Sequence, residues 1–107
     1  MKKFEVLTFR TEEGKEPFYE WINILDNSFK KRILLRLTRI ESGNLGDYKN
    51  IGDGVLELKF TFGSGYRIYF GKDQDRIIIL LCGGNKKTQS KDIIKAKEYW
   101  RIYNEQK

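Results

Sequence analysis

Hydrophobic positions along this chain follow two periods, and each change of period marks an element. Residues 2–9, KKFEVLTF, alternate Phe4, Val6 and Thr8 against Glu5, Leu7 and Phe9, which predicts a short strand. Residues 15–25, KEPFYEWINIL, place Phe18, Trp21, Ile22 and Leu25 on one helical face. Pro17 suits the first turn, where no backbone donor is missed. Asp26, Asn27 and Ser28 supply N-cap chemistry for a second helix to about Glu41, with Phe29, Ile33, Leu37 and Ile40 facing inward. So short a connection predicts an antiparallel helical hairpin, and Gly43 is placed to end it.

Beyond the hairpin the period drops to two. Residues 43–54, GNLGDYKNIGDG, carry four glycines and read as a loop. In VLELKF, Leu56, Leu58 and Phe60 face one way and Val55, Glu57 and Lys59 the other. In GYRIYF, Tyr66, Ile68 and Phe70 alternate with Arg67 and Tyr69. Gly63-Ser64-Gly65 turns the first of these strands into the second, and residues 72–75 turn the second into RIIILLC, residues 76–82. That last strand lacks alternation, as a central strand covered on both faces would. A helix from about Ser90 to Asn104 follows, with Ile93, Ala96, Trp100 and Tyr103 inward. The predicted order is β-α-α-β-β-β-α, one α+β domain over residues 1–107. Its helical hairpin packs on one face of a mostly antiparallel four-stranded sheet.

Composition narrows the chemistry. Among 107 residues there is no histidine and one cysteine. That removes Ser/His and Cys/His triads and a zinc site built from several Cys and His. Cys82 lies in an apolar run and reads as a small buried hydrophobe in a reducing cytoplasm. The N-terminus lacks an apolar signal core, and no run is long enough to span a membrane. A cytoplasmic protein without membrane contact is expected. The net charge of +6 favours polyanionic partners.

Strand alternation then groups the polar residues. Glu57 and Lys59 share a face, as do Arg67 and Tyr69, and the apolar sets belong under the helices. After the glycine pair at 83 and 84, Lys86, Lys87 and Gln89 reach the rim of that polar surface. Such a set suits a phosphodiester. Arg67 offers a planar fork to phosphate oxygens, the lysines act as point charges, and Tyr69 can stack on a base. The glycines would let backbone approach a ligand. Either Glu57 or a lysine of depressed pKa would take a 2′-hydroxyl proton. The same residues also read as a solvated sheet face carrying a cross-strand ion network. Arg32, Arg36 and Arg39 form a basic stripe on the second helix, either a water-facing edge or a dock for nucleic acid or an acidic partner. Asp53, Asp73, Asp75 and Asp92 are scattered over separate turns, so no metal site is expected.

Three segments carry a family resemblance: Gly43-Asn44-Leu45-Gly46-Asp47, Gly65-Tyr66-Arg67, and Leu81-Cys82-Gly83-Gly84-Asn85-Lys86-Lys87 with Gln89 and Asp92-Ile93. Together, from FYEW at 18–21 to the terminal helix, they resemble the addiction-module killer proteins, the HigB-like, phage-type branch of the RelE/ParE toxin superfamily. The resemblance implies a RelE-like fold and a type II toxin silenced by a cognate antitoxin. In the ribosome-dependent branch, such toxins cleave mRNA in the ribosomal A site. The 2′-hydroxyl attacks the adjacent phosphate and leaves a cyclic phosphate and a 5′-hydroxyl, without metal or cofactor. Arg67 matches the family's phosphate-binding arginine, Lys59 a basic strand position, and Lys86, with Lys87 beside it, the basic position after the last strand. Glu57 and Asp92 stand where RelE itself has lysine and tyrosine. Glu57 as base and Lys86 or Lys87 as leaving-group stabiliser is the resulting expectation. Two other readings stay open: a ParE-like inhibitor of DNA gyrase, and an inactive relative that binds an antitoxin or nucleic acid.

Overall fold

The unbroken apolar run near residue 80 has a direct structural cause: its strand is covered on both faces. The structure, a computed structural model, describes residues 3–107; Met1 and Lys2, the latter in the first predicted strand, lie outside the described residues. The elements are β1 (Glu5–Thr8), α1 (Pro17–Ile22), α2 (Asn27–Glu41), β2 (Tyr48–Asn50), β3 (Leu56–Lys59), β4 (Arg67–Asp73), β5 (Ile77–Gly84) and α3 (Gln89–Glu105). They build one sheet in the order β1-β5-β4-β3-β2, with β1 parallel to β5 and the remaining pairs antiparallel. The fold is α+β, as expected, but with five strands.

Each face has its own core. On one side, Leu58, Phe60, Ile68, Phe70, Ile78 and Leu80 pack under Phe18 and Ile22 of α1 and Ile33, Leu37 and Ile40 of α2. On the other, Val55, Tyr69, Ile79, Leu81 and Cys82 pack under Ala96 of α3, with Ile93, Tyr99, Trp100 and Tyr103 around them. The polar face expected to lie open is therefore roofed by α3 over much of its length.

The two helices of the hairpin differ in kind. α2 starts as the sequence implies, with the Asp26 carboxylate accepting from the Ser28 amide at 3.2 Å. α1 is a six-residue segment ending at Ile22, and Leu25 reaches the core from the turn beyond it. The strand β2 was hidden inside the glycine-rich loop. Its three residues are all exposed, so it carries no burial alternation to read.

One irregularity fixes what faces α3. Pairing runs from Arg67↔Gly84 to Tyr69↔Cys82, then continues at Phe70↔Leu80, leaving Leu81 unopposed. A bulge of this kind shifts the strand's phase by one residue. Cys82 therefore joins Ile79 and Leu81 in the α3 core, Gly83 turns to Trp21 of α1, and Gly84 turns to α3.

Candidate functional site

Two adjacent strands bring opposite charges together below the start of α3. In the β3–β4 register Lys59 lies opposite Arg67 and Glu57 opposite Tyr69, so Glu57 and Arg67 are diagonal neighbours on one face. Arg67 Nε stands 3.7 Å from Glu57 Oε2, within ion-pair but beyond hydrogen-bond reach. Both side chains are deeply buried, at 7% and 3% exposure. Gln89, the first residue of α3, donates to the same Glu57 oxygen at 2.8 Å. Arg67 NH1 donates to the Gly65 carbonyl at 2.9 Å. Arg67 Nε is left without a hydrogen-bond acceptor, and so is the neighbouring Tyr69 hydroxyl. Buried donors in native proteins are seldom left so.

These groups open on a cavity of about 240 Å³. Glu57, Arg67 and Gln89 line it from β3, β4 and α3; Lys59 adds a cation at the end of β3, and Asp47, Tyr48 and Lys49 close the side at and next to β2. A second groove of about 440 Å³ adjoins it and shares Asp47 and Lys59 as walls. Here the basic stripe of α2 is held in place. The Arg32 guanidinium lies 3.9 Å from the Phe62 ring centre. Arg36 sits 4.9 Å from that of Phe60 and donates to the Lys59 carbonyl at 3.2 Å and the Asp47 carbonyl at 3.3 Å. Arg39 and the exposed Leu35 complete the groove. The stripe and the buried pair thus belong to one continuous, largely cationic surface.

The structure assigns several predicted residues differently. Tyr69 cannot stack on a base: its ring is fully buried under α3. Burial first, then the charge of Glu57, holds its phenol far above the ordinary tyrosine range. The glycine pair serves internal packing rather than ligand approach. A Cβ at Gly83 would fall 2.2 Å from the Trp21 ring, and one at Gly84 would fall 1.7 Å from Asp92 Oδ2. Asp92, which the resemblance sets at the position of the RelE tyrosine, is buried there and accepts from the Thr88 hydroxyl. Its work is to lock the turn into α3, where Asn85 Oδ1 also accepts from the amides of Lys87 at 2.9 Å and Thr88 at 3.1 Å.

Lys86 and Lys87 are exposed and outside the cavity walls. Lys86 is nevertheless tied next to it. Its amide donates to the Ser64 carbonyl at 3.3 Å, and a Cβ at Gly65 would lie 3.4 Å from the Lys86 Cβ and 3.6 Å from Arg67 NH1. Cys82 is the inert thiol expected, pushed up to about 12 by burial, with Asp92 adding to the shift. Sequence reading missed Tyr48 and Lys49, because β2 has no alternation; their one local signal is a tyrosine between glycines 46 and 52.

Chemically, the arrangement couples a buried carboxylate to a guanidinium with spare donor capacity, beside uncommitted lysines, at the bottom of a pocket open to solvent. It can accept a proton at Glu57 and hold an oxyanion against Arg67 and Lys59.

Comparison with known proteins supplies a context. Residues 20–101, which include every residue of both cavities, match the family described as Phage derived protein Gp49-like (DUF891). A Haemophilus influenzae protein described as "Uncharacterized protein" is 44% identical over 81 residues, covering 75% of this chain and 82% of its own length. No described helix is long and apolar enough to cross a membrane.

Proposed function

Since this chain belongs to the phage-derived Gp49-like family, a RelE/HigB-like family associated with toxin–antitoxin systems, we propose that it is a toxin that cuts mRNA on the ribosome. The observation that carries this reading is the buried Glu57–Arg67 pair, 3.7 Å apart, at the floor of a pocket rimmed by Lys59. A carboxylate is costly to bury, and a surface that only grips another protein has no need of one beneath a cationic cavity. For that reason the endonuclease reading is preferred to a ParE-like gyrase inhibitor on the same fold.

The reaction proceeds from the chain's own side chains. Glu57 takes the proton of the 2′-hydroxyl, whose oxygen attacks the adjacent phosphorus. Arg67 and Lys59 hold the non-bridging oxygens as negative charge grows on them. The bond to the 5′-oxygen breaks, leaving a 2′,3′-cyclic phosphate, and Lys86, moored beside Arg67 through Gly65, stabilises the departing alkoxide; Lys87 is a reserve cation in the same turn. Gln89 fixes the Glu57 oxygen that accepts the proton. Arg32, Arg36 and Arg39 extend the cationic surface and dock nucleic acid alongside. A cognate antitoxin, the partner that the family implies, silences the chain by direct binding in the cytoplasm.

The test is to induce the chain and map mRNA 5′ ends while monitoring DNA breaks. Ribosome-phased cuts that disappear in Arg67→Lys, which keeps the charge but loses the planar fork, support the reading. DNA breaks with intact message overturn it.

A further inference from the structure

We propose that Lys49, on the edge strand β2, is a further RNA-backbone-binding residue of the pocket, neutralising a phosphate next to the one that reacts. The inference rests on the endonuclease reading above and assigns it a residue that neither the sequence pattern nor the family likeness marked.

Register is the first argument. Lys49 pairs with Glu57 across the β2–β3 ladder, so the two share a face, and that face carries Arg67. The neighbouring positions confirm the phase. Tyr48 pairs with Leu58 and lies against Phe70, 6.3 Å between ring centres, on the hairpin side of the sheet. Lys49 is exposed and lines the same cavity as Glu57, Lys59, Arg67 and Gln89.

Charge is the second. Arg67 is matched by Glu57, so the buried pair carries no surplus positive charge. A phosphodiester entering the pocket brings at least one negative charge and gains more as the phosphorane forms. Until Glu57 takes the 2′-hydroxyl proton and frees Arg67, the surplus that holds the incoming phosphodiester must come from cations not already committed to carboxylates. No ion pair among the described residues involves Lys49 or Lys59. They sit on neighbouring strands, Lys49 directly across the ladder from Glu57 and Lys59 two residues along β3 from it, and both line the cavity. The edge location matters too. Among the described residues β2 is the edge of the sheet, so a single-stranded chain leaving the pocket on that side passes Lys49 into solvent.

The test is single-turnover cleavage of mRNA on programmed ribosomes, over a range of KCl concentrations, with full-length proteins. Lys49→Gln should lower kcat/KM about tenfold, the value of one charge-assisted contact. It should also flatten the salt dependence, as removal of a single phosphate contact does. Lys49→Arg should recover most of the loss. Lys31→Gln, an exposed cation on α2 outside both cavities, should behave as wild type. Two results overturn the inference: Lys49→Gln cleaving as wild type while Arg67→Lys is inactive, or Lys31→Gln losing as much as Lys49→Gln, which would reduce the effect to net charge. Wild-type cleavage by Arg67→Lys would instead remove the pocket reading itself, and Lys49 with it.

Discussion

Two carboxylates are buried on the α3 face of the sheet, one near each end of that helix, and they are held in opposite ways. Asp73, at the end of β4, accepts from the Tyr103 hydroxyl at 2.6 Å and from Lys107 Nζ at 3.0 Å. Both partners belong to the last turn of α3 or the residues just after it, so the carboxylate fastens the helix to the sheet. Its pKa is depressed, first by the tyrosine hydrogen bond and then by the lysine. Glu57 receives one close hydrogen bond, from Gln89, while Arg67 Nε has no acceptor and Tyr69 Oη, though it interacts with Glu57, makes no bond at full hydrogen-bond geometry. Asp73 is saturated and lines none of the described cavities; Glu57 is under-coordinated and opens on one. Burial of a charge alone does not mark a functional site. Unspent hydrogen-bonding capacity facing a cavity does.

The contrast is broken most severely at Arg67. Arg67→Ala leaves the buried Glu57 carboxyl without its charge partner at the floor of the pocket, at a cost of about 3–5 kcal/mol by denaturant titration. Replacing both residues by apolar ones of similar volume should recover most of that stability while cleavage stays lost. A double variant as unstable as Arg67→Ala would show that the pair is a structural element like Asp73.

At the other end the expected effect is smaller and purely structural. Tyr103→Phe should lower the unfolding midpoint and leave mRNA cleavage unchanged. The pH dependence has a defined sign. A depressed folded-state pKa gives stabilisation that is complete above the unfolded value of about 3.9 and is lost as pH falls through the lower folded value. Asp73→Asn should therefore destabilise the protein at neutral pH and remove that portion of the acid transition. An acid transition identical to that of wild type would refute the latch.

The smallest effect is expected at Tyr69. Tyr69→Phe removes an unpartnered buried hydroxyl while keeping the ring, so stability should stay within about 1 kcal/mol of wild type or rise slightly. A large loss would mean that the hydroxyl has a partner, such as a water bridging it to Glu57.

Strand alternation was enough to place Glu57, Lys59 and Arg67 on one face, because side-chain period in a strand is fixed by geometry. The helix over residues 27–41 was equally legible from its cap and apolar face. Three features were not. β2 is a three-residue edge strand, exposed throughout, so burial left no trace in its residues and Lys49 was hidden with it. The bulge at Leu81 depends on tertiary pairing and reversed which side of β5 its last residues face. And a polar alternation looks the same whether its face meets water or a helix. Only the docking of α3 distinguishes a solvated ion network from a buried pair, and it also turned Tyr69 from a candidate base-stacking residue into core.

Cleavage by this pocket requires the Glu57 carboxylate to perform chemistry. The direct measurement is the single-turnover rate of mRNA cleavage on programmed ribosomes by the wild-type and Glu57→Gln proteins, with the new ends identified. The account predicts 5′-hydroxyl and cyclic phosphate ends from wild type, and a rate for Glu57→Gln lower by about a hundredfold or more, the range of a lost general base. Cleavage by Glu57→Gln at the wild-type rate would contradict it.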